Sequence, residues 1–254
     1  MNACIAEFVG VALLVLLGDG VVANVVLSKT KGHGGGGGGG AWIVITFGWA
    51  MALFIAVMCV LPYCHAHLNP AISIAAAAVG RFEWNLVPGY IAAQMLGGVV
   101  GGILVYAFYR PHFADTADPD AKLAVFCNAP TYRGIVWAMF CEITGTFVLA
   151  FAIMAIVTHP GTIDSGGSAG ISLKLGPLDA LPVALVVLAI GLCLGGTTGY
   201  AINPARDLGP RIAHFILPIP GKRDSDWGYA LVPVIGPIIG AVLGALAYPL
   251  LAAV

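Results

Sequence analysis

The sequence predicts an all-α membrane protein with six transmembrane helices plus two half-helices in an inverted repeat. Three observations carry that prediction. Apolar residues make up 59% of the chain and charged residues 9%, against roughly 25% charged in a soluble domain, so most of the chain has lipid rather than water as its solvent. Asn-Pro-Ala occurs twice, at Asn69-Pro70-Ala71 and Asn203-Pro204-Ala205. Features around the two copies also recur in one order: Glu7 and Gly10 match Glu142 and Gly145 at a shift of 135, Asn69 matches Asn203 at 134, and Tyr90, Gly97 and Gly101 match Tyr229, Gly236 and Gly240 at 139.

The first span runs from about Cys4 to Leu27 and carries two acids, Glu7 and Asp19. Asp19, toward its end, is expected at the membrane interface. Ser28 to Gly40 contains seven consecutive glycines and has no pattern to fold. The second span is Ala41 to about Leu61, before Pro62. After a short loop, Asn69-Pro70 starts a helix, since Asn caps orphan N–H groups and Pro is tolerated at the first helical position. That helix meets Gly80-Arg81 after about Val79, far short of the ~20 residues that span a bilayer, so it is a half-helix. The third span, about Leu86 to Tyr109, contains Gly97, Gly98, Gly101 and Gly102, small residues that let helices approach closely.

Residues 111–132 form a polar connector between a first repeat, 1–110, and a second, 133–254. The fourth span is Gly134 to about Val157 and contains Glu142; a Gly/Ser-rich loop, His159 to Asp179, follows. The fifth is Ala180 to about Leu194, the second half-helix runs from Asn203 to about Phe215, and the sixth span is about Tyr229 to Leu251. Three spans per repeat is an odd number, so the halves enter the membrane from opposite sides. Inverted repeats of broken helices build a shared site near the midplane.

Two half-helices meeting N-terminus to N-terminus present roughly half a positive charge each, which repels cations. The side-chain amides of Asn69 and Asn203 each have two donors and can serve a passing neutral solute. The loops before them offer the carbonyls of His65, Ala66 and His67, and of Tyr200, Ala201 and Ile202, along one side of a pore, because non-helical backbone at this depth must line a cavity or be buried. Such a line of donors and acceptors suits a small hydroxylic molecule. Arg206, costly within a membrane, is expected as a fixed donor at a constriction. Glu7 and Glu142 are expected to accept from the N–H groups of the two loops.

With Ala66-His67-Leu68-Asn69-Pro70-Ala71 in one half and Asn203-Pro204-Ala205-Arg206-Asp207 in the other, the chain resembles the aquaporin superfamily, and within it the aquaglyceroporins. The resemblance covers nearly the whole chain. It implies an aquaporin-like fold, a single transmembrane channel domain with one pore per subunit, a homotetramer in the lipid bilayer of the cell membrane, and passive conduction of glycerol and similar small neutral solutes with some water permeability. A water-selective channel is the alternative. Asp207 and Arg211 look like the glycerol-conducting class. Gly191 falls where water-selective members typically carry His, and Tyr200 where glycerol facilitators often have an aromatic residue. Phe47 best matches the aromatic position of the second span, with Trp49 as a rival. The resemblance therefore implies a selectivity filter of Phe47, Gly191, Tyr200 and Arg206, and a midplane constriction of Asn69, Pro70, Ala71, Asn203, Pro204 and Ala205. Cys64-His65 stands where relatives typically have Ser-Gly.

A net charge of −1 gives no electrostatic reason for a nucleic-acid partner. The cluster Cys59, Cys64, His65 and His67 lacks an established ligand spacing, so neither a metal centre nor another cofactor is expected, and no enzymatic chemistry. A secondary transporter would need a coupling-ion site, for which Glu7 and Glu142 are the only matched candidates.

Overall fold

The computed structural model describes residues 2–34, 39–158, 162–163, 171–172 and 176–253. Residues 35–38 of the glycine run and most of the His159 to Asp179 loop lie outside the described residues. Nine helices occur among the described residues: α1 Ala3–Val26, α2 Gly39–Val60, α3 Pro70–Ala78, α4 Val87–Asp115, α5 Pro119–Ala124, α6 Ile135–Thr158, α7 Leu181–Leu194, α8 Pro204–Ile216 and α9 Val232–Ala247. Turns of 3-10 helix, Gly176–Ala180 and Tyr248–Ala253, precede α7 and follow α9, and Thr162–Ile163 pairs antiparallel with Ile171–Ser172.

Five segments, α1, α2, α4, α6 and α9 with its following turn, are long and apolar enough to cross a membrane. The fifth expected span is shorter: α7 has 14 residues. Pro182 sits in its first turn and Gly195 ends it, and with the 3-10 turn ahead of α7 the apolar helix runs over Leu178–Leu194. The connector is also more ordered than a simple link. Helix α4 continues past Tyr109, through Pro111, to Asp115, and α5 lies within the connector, capped by the Asp118 side chain accepting from the Asp120 N–H at 2.8 Å.

Packing repeats between the halves. Helix α1 lies along α4 as α6 lies along α9, and each half-helix crosses to the other half, α3 onto α9 and α8 onto α4. Glycines make these approaches possible. A Cβ on Gly97 would stand 2.5 Å from the Phe8 carbonyl oxygen, and one on Gly240 2.2 Å from that of Ile143. Where α8 meets α4, a Cβ on Gly98 would stand 2.4 Å from the Ala205 carbonyl oxygen. At 1.5 Å per residue, α3 and α8 measure ~14 and ~20 Å, together close to the ~30 Å of a bilayer core. The far end of α8 is closed by Lys222, whose ammonium donates to the carbonyls of His214, Phe215 and Leu217 at 2.5, 2.9 and 2.6 Å.

Candidate functional site

Each half-helix begins at an asparagine in extended backbone, Asn69 at φ −157° and Asn203 at φ −156°. Asn69 Oδ1 accepts from the Ala71 N–H at 2.9 Å, and Asn203 Oδ1 accepts from Ala205 at 2.9 Å and Arg206 at 3.2 Å. Pro70 and Pro204 occupy the first turns, where no N–H is needed. The Nδ2 groups then tie the halves together: Asn69 donates to the Ile202 carbonyl and Asn203 to the Leu68 carbonyl, both at 2.8 Å. One N–H of each amide remains.

The loops leading into these helices hold left-handed residues at alternate positions, Ala66 and Leu68 in one and Tyr200 and Ile202 in the other, with φ between 43° and 50°. For a β-branched residue such as Ile202 this is a strained conformation, costing about 1–3 kcal/mol. The acids offset it. Glu7 accepts from the N–H groups of His67 and Leu68 at 2.8 and 2.7 Å and from Gln94 at 2.8 Å. Glu142 accepts from Ala201 and Ile202 at 3.0 and 2.8 Å and from the Thr198 hydroxyl at 2.7 Å. Hydrogen bonds to a charged group contribute about 1.5–3 kcal/mol each, enough to hold both loops. Gly10 and Gly145, three residues after each acid, make room for Leu68 and Ile202.

One cavity of about 1120 Å³ runs from the His65 and Arg81 end past both asparagines to Trp49, Tyr200 and Arg206. His65, Ala66, His67, Tyr200, Ala201 and Ile202 all line it. Among the described residues the Ile202 carbonyl is engaged by Asn69, while the other five carbonyls have no protein donor. Leu14, Leu53, Val57, Ile72 and Leu149 supply apolar wall.

At its far end the Arg206 guanidinium carbon lies 3.9 Å from the centroid of the Trp49 ring. Such a contact stabilises a desolvated cation by about 2 kcal/mol, and Arg206 is 7% exposed. Trp49, 3% exposed, thus occupies the aromatic position for which Phe47 was expected; Phe47 is 53% exposed and does not line the cavity. Two residues along a helix are rotated by roughly 200°, so only one of this pair can face inward, and Gly18 receives the Trp49 ring.

Gly191 also differs from expectation. It does not open onto the cavity; Tyr200 stands in front of it. A Cβ on Gly191 would lie 2.9 Å from Tyr200 Cζ, and one on Gly195 2.4 Å from Tyr200 Cδ1. Tyr200 therefore fills a slot floored by these two glycines and flanked by Thr46 and Trp42. Trp42 donates to the Gly191 carbonyl at 3.0 Å and meets Tyr200 edge-on at 5.9 Å. Sequence reasoning missed Trp42 and Gly195, although glycines four apart at the C-terminal end of α7 were a signal for a large neighbour.

Asp19 is buried, with Oδ2 unpartnered, and α1 continues seven residues beyond it to Val26. Behind Arg206, Asp207 and Arg211 form a fully buried ion pair at 2.8 Å. Arg211 also donates to the carbonyls of Asn128, Ser225 and Asp226 at 2.9, 2.8 and 3.1 Å, and Asp207 accepts from the Asn128 N–H at 2.8 Å. The pair anchors two connecting loops to α8.

This arrangement has known counterparts. The sequence profile described as Major intrinsic protein matches residues 1–248. The "Probable glycerol uptake facilitator protein" of Thermotoga maritima is 53% identical over 248 residues, covering 98% of both chains. The "Glycerol uptake facilitator protein" of Bacillus subtilis is 46% identical, covering 93% of this chain and 80% of its own length. The X-ray structure of the aquaglyceroporin from Plasmodium falciparum superposes with a TM-score of 0.82 at 29% identity, covering 99% of this chain and 98% of that one. The protein is an integral, multi-pass membrane protein and belongs to the major intrinsic protein family.

Proposed function

We propose that the chain is a passive channel for glycerol and other small neutral solutes, with some water permeability. The observation that carries this reading is the single cavity touching both half-helix asparagines and the Trp49, Tyr200 and Arg206 group. Relatives named as glycerol uptake facilitators at 46–53% identity support the solute. Repeats 1–110 and 133–254 act as one unit, joined by 111–132. Asn69 and Asn203 donate at the midplane, the free loop carbonyls accept, and the apolar wall opposite takes the carbon backbone of the solute. Trp49, Tyr200 and Arg206 form the selectivity filter, with Gly191 seating Tyr200. Glu7 and Glu142 hold the loops. Four copies assemble in the bilayer, each with its own pore.

The positive ends of α3 and α8, together with Arg206, raise the barrier to cations. Both matched acids, Glu7 and Glu142, are consumed by loop N–H groups, which leaves no matched carboxylate pair among the described residues for a coupling ion. Glycerol entry into proteoliposomes under imposed sodium and proton gradients tests this. Entry that follows the glycerol gradient alone supports a channel; entry driven by either ion gradient replaces it with a coupled transporter.

A further inference from the structure

The loop at the mouth of the cavity carries two imidazoles whose arrangement suits a metal ion. The ring centroids of His65 and His67 are 5.5 Å apart. Two imidazoles on one tetrahedral ion, with Zn–N near 2.0–2.1 Å, place their centroids ~5 Å apart. The Nδ1 atom of each ring is already occupied, that of His65 by the Tyr90 hydroxyl at 3.3 Å and that of His67 by Ser73 Oγ at 3.1 Å. Ser73 gives its own hydrogen to the Asn69 carbonyl at 3.2 Å, so it accepts from His67 Nδ1–H, and the neutral ring carries its lone pair on Nε2. Partners on the second ring nitrogen are what orient metal-binding histidines.

Phe82 packs edge-on against both rings, at 5.2 and 4.7 Å. Both histidines line the cavity, and among the described residues neither Nε2 has a protein partner. The Glu7 carboxylate, accepting from the His67 N–H, supplies negative charge against the positive start of α3 and against Arg81 at the same mouth. The Cys64 thiol has other partners, donating to the Val60 carbonyl at 3.6 Å and accepting from the Ala66 N–H at 3.2 Å. Among the described residues no group of three metal-binding side chains forms, so water completes the coordination and the ion exchanges readily.

We propose that His65 and His67 form a two-histidine site for a divalent transition-metal ion, such as Zn2+ or Ni2+, and that the hydrated ion held there blocks the pore. The block, unlike the binding, rests on the channel reading above. Metal binding to the purified chain is measured by calorimetry, and glycerol flux into proteoliposomes by stopped flow over the same metal range. The intact chain, His65→Ala, His65→Gln and Cys64→Ser are compared, each flux relative to its own metal-free value.

One saturable site whose occupancy tracks the block is expected. Apparent affinity should fall at least about tenfold in either His65 variant, as it does when even an outer partner of a metal ligand is lost, and stay unchanged in Cys64→Ser. His65→Gln decides if the alanine variant does not fold. Absence of binding to the intact chain overturns the proposal. So does loss of block in Cys64→Ser with retention in His65→Ala, which would assign the metal to a thiol. Binding without block in a conducting channel removes the regulatory half. A chain that conducts no glycerol still yields the calorimetric result, and that failure belongs to the channel reading.

Discussion

Gly191→Ala isolates the seating of Tyr200. A Cβ there would meet Tyr200 Cζ at 2.9 Å, Thr46 Cγ2 at 3.0 Å and the Tyr200 hydroxyl at 3.1 Å. Ordinary van der Waals contact begins near 3.4 Å, so the ring edge must move by about 0.5 Å (3.4 − 2.9). Thr46 and Trp42 flank the slot, and the open direction is the cavity that Tyr200 already lines. Overpacking of this kind costs about 1–3 kcal/mol. If one to two of those appear as a barrier to the wider solute, glycerol flux falls roughly five- to thirtyfold, whereas water, being smaller, is affected less. Stopped-flow light scattering on proteoliposomes measures both fluxes. Tyr200→Leu in the Gly191→Ala background removes the displaced ring and should recover glycerol flux, a coupling that independent sites would not show. Unchanged glycerol flux in Gly191→Ala, or no recovery in the double variant, would refute the seating argument.

Three further outcomes follow from the same geometry. Glu142→Ala strips the acceptor from two loop N–H groups and a hydroxyl, each costing about 1–3 kcal/mol when left buried; the thermal midpoint of the detergent-purified protein should drop sharply, and an unchanged midpoint would show that the loop holds itself. Phe47→Ala should leave solute selectivity as it is, while Trp49→Ala admits larger polyols; the reverse pattern, read by liposome swelling, would restore Phe47 to the filter. Tyr200→Phe removes a buried hydroxyl without a protein partner, so thermal stability should hold or rise and glycerol flux persist; a marked loss of either would mean that solute or ordered water pairs with that hydroxyl.

The architecture was legible because it rests on local signals. Asn-Pro starts, lengths too short to span, and matched acids and glycines all survive in a string of letters, and the half-helix expected over Asn69 to Val79 is α3, Pro70–Ala78. What escaped depends on facing. Helix α2 is apolar all round, so nothing in its sequence distinguishes the inward Trp49 from the outward Phe47; the choice is made by Gly18 on α1. Likewise nothing local to Gly191 shows that it seats Tyr200, which lies nine residues away in a loop. The exchange of hydrogen bonds between Asn69 and Ile202, and between Asn203 and Leu68, needs both loops to meet, which only the closed bundle brings about.

Whether the pore is wide enough for glycerol is decided by the ratio of glycerol to water permeability measured on one proteoliposome preparation of the intact chain. Glycerol permeability should stand far above that of protein-free vesicles, accompanied by measurable water flux. Fast water flux with glycerol permeability no greater than that of the bare lipid would contradict that expectation and make the protein a water-selective channel.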